Sequence, residues 1–322
     1  MSASKKVLAT LTLAMLPVSA ALAQQDYPTR PIRLIVPYAA GGGADTAARA
    51  MSQRLGELLG EQIIVENKPG ASTITGTQFV VKAAPDGYTL LMGTANLATN
   101  VALYRQLPYD ALKDLAPVTQ VTRVPVFAFA NAKSSIKSLD DLVAQSKSTQ
   151  GGLSYATAGN GSAPHLAGEL FKLESKSKLE HIPYKGSAEA VTALVGGQVP
   201  ASFDNFAPVQ AHVKAGTVVP LAIALPERSS ITPNVPTFKE LGYSMEAYSW
   251  WGVLAPAGTP PAIVERLNKE IRKTLQMAEI RDRLNDQGIE TVGSTPAEFS
   301  AHIRAETDKW MRVVKAARIQ AQ

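Results

Sequence analysis

The sequence predicts an α/β protein built as two similar lobes. Three observations carry this. β-branched apolar runs alternate with helix-period segments along most of the chain, the pattern of largely parallel sheets flanked by helices. Two separate strand ends run into loops rich in glycine and hydroxyl residues, each followed by a helix: Tyr38-Ala39-Ala40-Gly41-Gly42-Gly43 and Thr157-Ala158-Gly159-Asn160-Gly161-Ser162. The C-terminal segment is purely helical and needs a sheet to cover, which returns the chain to the first lobe.

Each element has its own signal. Ile32 to Pro37 is a β-branched run and reads as a buried strand. A helix follows, with Ala47, Met51, Leu55 and Leu58 on one face and Arg49, Gln53 and Arg54 on the others. Gln62 to Glu66 is a strand, Pro69-Gly70 a turn, Thr75 to Lys82 a helix, Pro85-Asp86-Gly87 a turn and Tyr88 to Met92 a strand. Val124 to Ala130 is the next strand. Ser138 and Asp141 have capping-box spacing. Leu153 to Ala156 is a strand that enters the second glycine-rich loop, and Pro164 to Ser175 is the helix beyond it. Strands are expected at Leu179 to Ile182, Pro200 to Asp204, Val218 to Ala224 and Met245 to Leu254, with helices near Ala188 to Leu194 and Pro208 to Lys214. Thr259-Pro260-Pro261 opens a late helix with proline in its first turn, and Thr295 with Glu298 caps another. The chain crosses between lobes near Thr122 to Pro125 and again near Ala247 to Trp250.

The first residues read as an address. Lys5 and Lys6 precede an apolar stretch from Val7 to Leu22, broken by Pro17, and Ala21-Leu22-Ala23 is a small-x-small cleavage site. This predicts a signal peptide over residues 1–23, cut after Ala23, and a periplasmic mature protein expected to be soluble. The chain has no cysteine, which excludes lipid attachment at cysteine, thiolate catalysis and cysteine metal sites. The net charge of +5 includes the two leader lysines, and basic and acidic residues balance across 126–249. Nothing in that balance points to nucleic acid. The run Lys172, Lys176, Lys178 and Lys185, interleaved with Glu174 and Glu180, reads as a solvated face.

Catalytic motifs are missing. Gly41 and Gly43 lack the third glycine of a dinucleotide fingerprint, because Thr46 stands there. There is no phosphate loop, no HExxH, and no glycine-flanked nucleophile around Ser162. His165 and Glu169 share a helix face but have no third ligand at a fixed spacing, so a surface or loop-bracing contact is the better reading than a metal. No metal and no cofactor is expected. The two loops remain. Each puts backbone N–H groups at a helix start, where the helix dipole adds partial positive charge, worth about 0.3–2 kcal/mol to an anion. In open α/β sheets, ligands lie beyond the carboxyl ends of strands, where both loops sit.

At these residues the chain resembles the substrate-binding proteins of tripartite tricarboxylate transporters, the Bug-type periplasmic receptors. The landmarks run in order from YPTRPIRLIVPYAAGGGADTAAR (27–49) through VENKPGA (65–71), APDGYTLLMG (84–93), LPYDALKDLAPVTQV (107–121), YATAGNGSAPHLAGELFK (155–172), IPYKGSAEAVTALVGGQV (182–199) and VPTFKELGY (235–243) to WWGVLAPAGTP (250–260). Ser72-Thr73-Ile74-Thr75 departs from the commoner Gly-Gly pattern.

The resemblance implies a two-lobed periplasmic-binding-protein fold, a Venus flytrap. Each lobe is a mostly parallel sheet flanked by helices, with two crossing strands as hinge. Residues 24–125 and 250–322 form the first lobe, and 126–249 the inserted second. It implies a monomer, not an enzyme, that binds a small organic carboxylate and presents it to one large and one small integral membrane subunit. The implied ligand-binding residues are Tyr38, Ala40, Gly41, Gly42, Asp45, Thr94 and Asn96 in the first lobe. In the second they are Thr157, Gly159, Asn160, Gly161, Ser162, His165 and Asp204. Asp45 can instead cap or brace its loop. Of Trp250 and Trp251, one faces the cleft and one the core. Two other readings stay open: a sensory co-receptor, and an exported enzyme using His165, Glu169 and Asp204 as acid–base groups.

Overall fold

The structure is a computed structural model that describes residues 27–317 and 319, apart from Gly161 and Lys185. The expected signal peptide, its cleavage after Ala23, and Gly161 lie outside the described residues.

The first half of the sheet is built from β1 (Ile32–Val36), β2 (Ile63–Asn67) and β3 (Thr89–Thr94), with β1 parallel to both others. The β-branched run in β1 is buried on both faces, as a covered parallel strand requires. Helix α1 (Gly43–Leu59) connects β1 to β2, α2 (Ile74–Val81) connects β2 to β3, and α3 (Asn96–Leu103) follows β3 after a single residue. Helix α3 has no counterpart in the sequence reading, which assigns no element to the segment after β3. Its N-cap residue, Ala95, has no side-chain oxygen to cap with, so the usual start signal is absent.

Strand β4 (Leu115–Asn131) is the spine of the molecule. The sequence reading found only its second half, from Val124. The first half is studded with Pro117, Thr119, Gln120, Thr122 and Arg123, which mask a strand to any reading by hydrophobicity. Thr119, Gln120 and Thr122 are nonetheless buried. Thr119 and Gln120 are tolerated because the C-terminal segment supplies partners: Thr119 Oγ1 donates to Ser294 O at 2.7 Å, and Gln120 N–H donates to Ser294 Oγ at 2.9 Å. The Thr122 hydroxyl has no partner among the described residues, and this residue is held by backbone pairing with Thr291.

The second half holds α4 (Leu139–Ser148), β5 (Leu153–Thr157), α5 (Ala163–Ser175), β6 (Leu179–Pro183), α6 (Ser187–Val195), β7 (Ala201–Asn205), α7 (Phe206–Lys214) and β8 (Val218–Ile223). β5 runs parallel to β6 and β7. The chain then returns through β9 (Tyr248–Pro256), α8 (Pro261–Gln276), α9 (Ala278–Asn285), the short β10 (Glu290–Thr291) and α10 (Pro296–Ala317). The capping boxes form. Asp141 N–H donates to Ser138 Oγ and Ser138 N–H to Asp141 Oδ2, while Thr295 and Glu298 make the same reciprocal pair before α10.

The strands join as β2-β1-β3-β9-β4-β7-β5-β6, with β8 and β10 also paired to β4. The outer strands are parallel. β4 and β9 run antiparallel to each other, and to β7 and β3 respectively. β4 changes partners along its length: Leu115 to Pro125 pairs with β9, and from Val126 onward it pairs with β7 and β8. Helix α10 packs on α3 on one side of that crossing and on α5 on the other. Its Trp310 lies in one apolar core with Leu97, Ala98, Leu166, Leu170 and Phe171. On another face, Glu290 accepts hydrogen bonds from Arg123 Nε at 2.7 Å and from Ser229 Oγ.

At Gly252 in β9, α10 lies directly against the sheet. A methyl group there would meet the Phe299 ring and the Thr119 carbonyl oxygen, the latter at 2.8 Å. Gly252→Ala should therefore overpack this contact and lower stability by about 1–3 kcal/mol or more. Chemical denaturation checks this. An unchanged midpoint would mean that α10 does not seat on Gly252.

Candidate functional site

The first glycine-rich loop leaves β1 through Pro37 and turns into α1. Gly42 is its N-cap residue, and no side chain caps the helix. Asp45, in the first turn, folds back over the loop. Its Oδ2 accepts the Gly41 N–H at 2.9 Å, its Oδ1 accepts Asn67 Nδ2 at 3.0 Å, and Arg49 Nε lies 3.0 Å from both oxygens. Burial alone would raise its pKa, but the bonds from Arg49, Gly41 and Asn67 outweigh it and hold the carboxyl below its ordinary value. Asp45 is thus a brace whose charge is matched on the spot. Gly43 lets the helix start approach β9: an added methyl would lie 2.5 Å from the Trp251 ring. Trp251 is half-buried there, while Trp250 points the other way into the core against Phe299.

Tyr38 and Thr94 converge on Asn96. Tyr38 OH donates to Asn96 Oδ1 at 2.6 Å and Thr94 Oγ1 donates to the same oxygen at 3.3 Å. Two donors on Oδ1 leave the NH2 group as the outward donor end of Asn96.

The second loop is built in a similar way. Ser162 is the N-cap residue of α5; its Oγ accepts the His165 N–H at 3.2 Å and donates to Gly159 O at 2.7 Å. Thr157 Oγ1 accepts the Gly159 N–H at 3.2 Å and meets His181 Nε2 at 2.6 Å. Beneath the loop, His165 stacks on His181 with ring centroids 3.9 Å apart. Burial drives both rings toward the neutral form, and His181 falls to about 3. Glu169 accepts from Tyr155 OH at 2.7 Å and from Lys172 Nζ at 2.8 Å. Among the described residues, no group of three or more His, Asp or Glu could hold a metal.

A cavity of about 450 Å³ opens between the two loops. Of the residues singled out in the sequence, it is lined by Tyr38, Asn96, Gly159, Asn160 and Ser162. An adjoining pocket of about 360 Å³ shares Tyr38 and Asn96 and adds Ala40, Gly42 and Thr94. Gly41, Asp45, Thr157, His165 and Asp204 line neither. The cavity also draws on residues the sequence reading did not select: Ser72, Asn100, Tyr104, Asn205, Tyr248, Ser249 and Trp310. Asn96, Asn100 and Tyr104 recur at four-residue steps, a signal that exists only once α3 is known to be a helix. No Asp, Glu, Lys, Arg or His lines either pocket among the described residues.

The family sequence model described as "Tripartite tricarboxylate transporter family receptor" matches residues 47–319. The chain belongs to this family. Protein BugT of Bordetella pertussis is 39% identical over 301 residues, covering 92% of each chain. A TctC solute-binding protein from Polaromonas, solved without ligand, superposes with a TM-score of 0.82 at 30% identity, covering 90% of this chain and 99% of that one. R. palustris Rpa4515, solved with adipate, superposes with a TM-score of 0.76 at 34% identity, covering 92% and 100%. The two-lobed receptor fold of these relatives is the fold of this chain. No described helix is long and apolar enough to cross a membrane.

Asp204 sits at the end of β7, fully buried, beside the cavity-lining Asn205. Its Oδ1 accepts from Ser187 Oγ and from Asn205 N–H, both at 2.8 Å, while its Oδ2 has no partner among the described residues. Desolvation pushes its pKa from 3.8 up to about 6. The folded state then holds a proton that the unfolded chain releases between about pH 4 and pH 6. The stability Asp204 contributes is thus fully present below that window and is lost as pH rises through it. Relative to Asp204→Asn, the wild-type protein should gain roughly 2–3 kcal/mol on going from pH 7 to pH 4. Urea titrations of both proteins measure the difference. A constant difference across the range would show that this carboxyl is not desolvated.

Proposed function

We propose that this chain is a periplasmic receptor that captures a small organic carboxylate between its two glycine-rich loops and delivers it unchanged to a membrane transporter of one large and one small subunit. We place the first lobe at 24–125 and 250–322 and the second at 126–249. One observation carries the reading: the N-terminal ends of α1 and α5, on opposite halves of the sheet, open onto adjoining pockets. The first N–H groups of a helix have no partner within it, and the dipole makes that end positive. In α5 the Ser162 hydroxyl takes the His165 N–H and Pro164 has none, so the Ala163 N–H is the one of its first three positions left for a ligand. Two such ends facing one space suit an anion, and with no charged side chain among the described lining residues the donors are backbone N–H groups, hydroxyls and amides. That Rpa4515 was solved with adipate supports a carboxylate as the ligand class. The acid–base alternative finds no support, since His165, Glu169 and Asp204 are all buried outside both pockets.

A thermal-shift screen of mono-, di- and tricarboxylates, with neutral amides and amines as controls, tests the assignment. Some carboxylate should raise the melting temperature in proportion to the logarithm of its concentration, because a ligand stabilises the state it binds. Asn160→Trp, which puts an indole into the cavity from an exposed loop position, should weaken that acid by about 100-fold or more while leaving the unliganded melting temperature unchanged. No shift with any carboxylate, or an unaffected Asn160 variant, would contradict the reading.

A further inference from the structure

Between β2 and α2, three consecutive non-glycine residues hold left-handed backbone angles: Ala71 (φ 44°), Ser72 (φ 50°) and Thr73 (φ 76°). L-residues avoid this region, and a run of three persists only when neighbours enforce it. Helix α3 does so. Asn100 Nδ2 donates to the Ser72 carbonyl oxygen at 2.8 Å, and Tyr104 OH donates to Ser72 Oγ at 3.0 Å. Glycine would adopt this backbone freely, yet the chain carries a hydroxyl there, and Ser72, Asn100 and Tyr104 all line the main cavity.

Asn96 and Tyr104 both line the cavity, eight residues apart. Asn96 belongs to the loop end, beside Tyr38. Tyr104 caps the C-terminal end of α3, about 12 Å farther on by the rise of a helix. Leu103, Leu166 and Trp310 also line the cavity. At the far end, Ser72 Oγ–H remains a donor and the Tyr104 oxygen remains an acceptor once the bond between them is counted. No acidic side chain lines the cavity among the described residues, so a ligand ammonium would find no counter-charge.

We infer that the Ser72–Tyr104 pair is a second recognition point, which reads an uncharged hydroxyl on the tail of a carboxylate and discriminates against an ammonium in its place. The ligand class is a hydroxylated monocarboxylate with an apolar spacer. This rests on the carboxylate-receptor reading and specifies the other end of the same ligand.

Calorimetric titration of the full mature chain with matched probes tests it. One set is 3-phenylpropanoate, its 4-hydroxyphenyl analogue and its 4-aminomethylphenyl analogue. The other is octanoate and 8-hydroxyoctanoate, and adipate is included as a short acid. In at least one set the hydroxylated member should bind about tenfold more tightly than its parent, the worth of one hydrogen bond, and the ammonium member should bind most weakly. Ser72→Gly relieves the left-handed strain and so should fold at least as well as the wild type, yet it should bring the hydroxyl preference to within about twofold, as should Tyr104→Phe. Equal binding of hydroxylated and parent acids, or a preference that survives in both variants, would overturn the inference. Binding of adipate but of none of the longer acids would also overturn it while leaving the receptor reading intact. Failure of every carboxylate, adipate included, would instead overturn the receptor reading itself.

Discussion

Everything in this molecule hangs on one strand changing partners. β4 is a 17-residue strand that pairs with β9 up to Pro125 and with β7 and β8 from Val126. Because it is continuous, the two halves of the sheet share an axis, and the loops at the strand ends are brought to face one cavity. Pro125 has no N–H to give to a ladder, which suits a residue placed where one partner ends and another begins. Asn205 secures the same point: its Nδ2 donates to the Pro125 carbonyl oxygen at 2.9 Å, and the residue also lines the cavity. The crossing and the binding space therefore meet in one side chain. Away from it, the Arg123–Glu290–Ser229 group ties the crossing strand to the return segment, and α10 spans both halves with a single apolar core.

Among the described residues, charge is kept out of the cavity and settled elsewhere. Asp45, the carboxylate nearest the first loop, is matched by Arg49, Asn67 and the Gly41 N–H, so it does not oppose an anion directly. The two histidines under the second loop are held toward the neutral form by burial. Among the described residues, the donors that face the space are neutral. Such donors retain their geometry across a wide pH range and are less sensitive to salt than surface ion pairs. The net charge of +5 contributes little to this arrangement, since two of its positive charges belong to the expected leader.

The fold was readable wherever local chemistry and tertiary structure agreed. The β-branched run of β1, the helix-period stripe of α1 and both capping boxes each carry a short-range signal that the packed molecule keeps. Reading failed where burial was achieved by partners distant in sequence. Thr119 and Gln120 look like loop residues until Ser294, far along the chain, supplies hydrogen bonds. Helix α3 has no cap and is recognised only by what it packs on. The site divides in the same way. Glycine-rich strand-to-helix turns announce themselves by composition, and the family resemblance picks Tyr38, Gly42, Asn160 and Ser162 out of them. Which neighbours point inward is a tertiary fact. Asp204, at the end of β7, and His165, behind the second turn, are buried away from the space, while Ser72 and Tyr104 line it from segments with no binding signature.

The central claim is that the N–H groups at two helix starts hold the ligand. Hydrogen exchange followed by mass spectrometry, with and without the carboxylate that gives the largest thermal shift, tests it most directly. Peptides covering residues 38–45 and 158–165 should both exchange more slowly when the ligand is bound, and more so than segments remote from the cavity such as α8. Protection confined to other segments, or to only one of the two loops, would contradict the account.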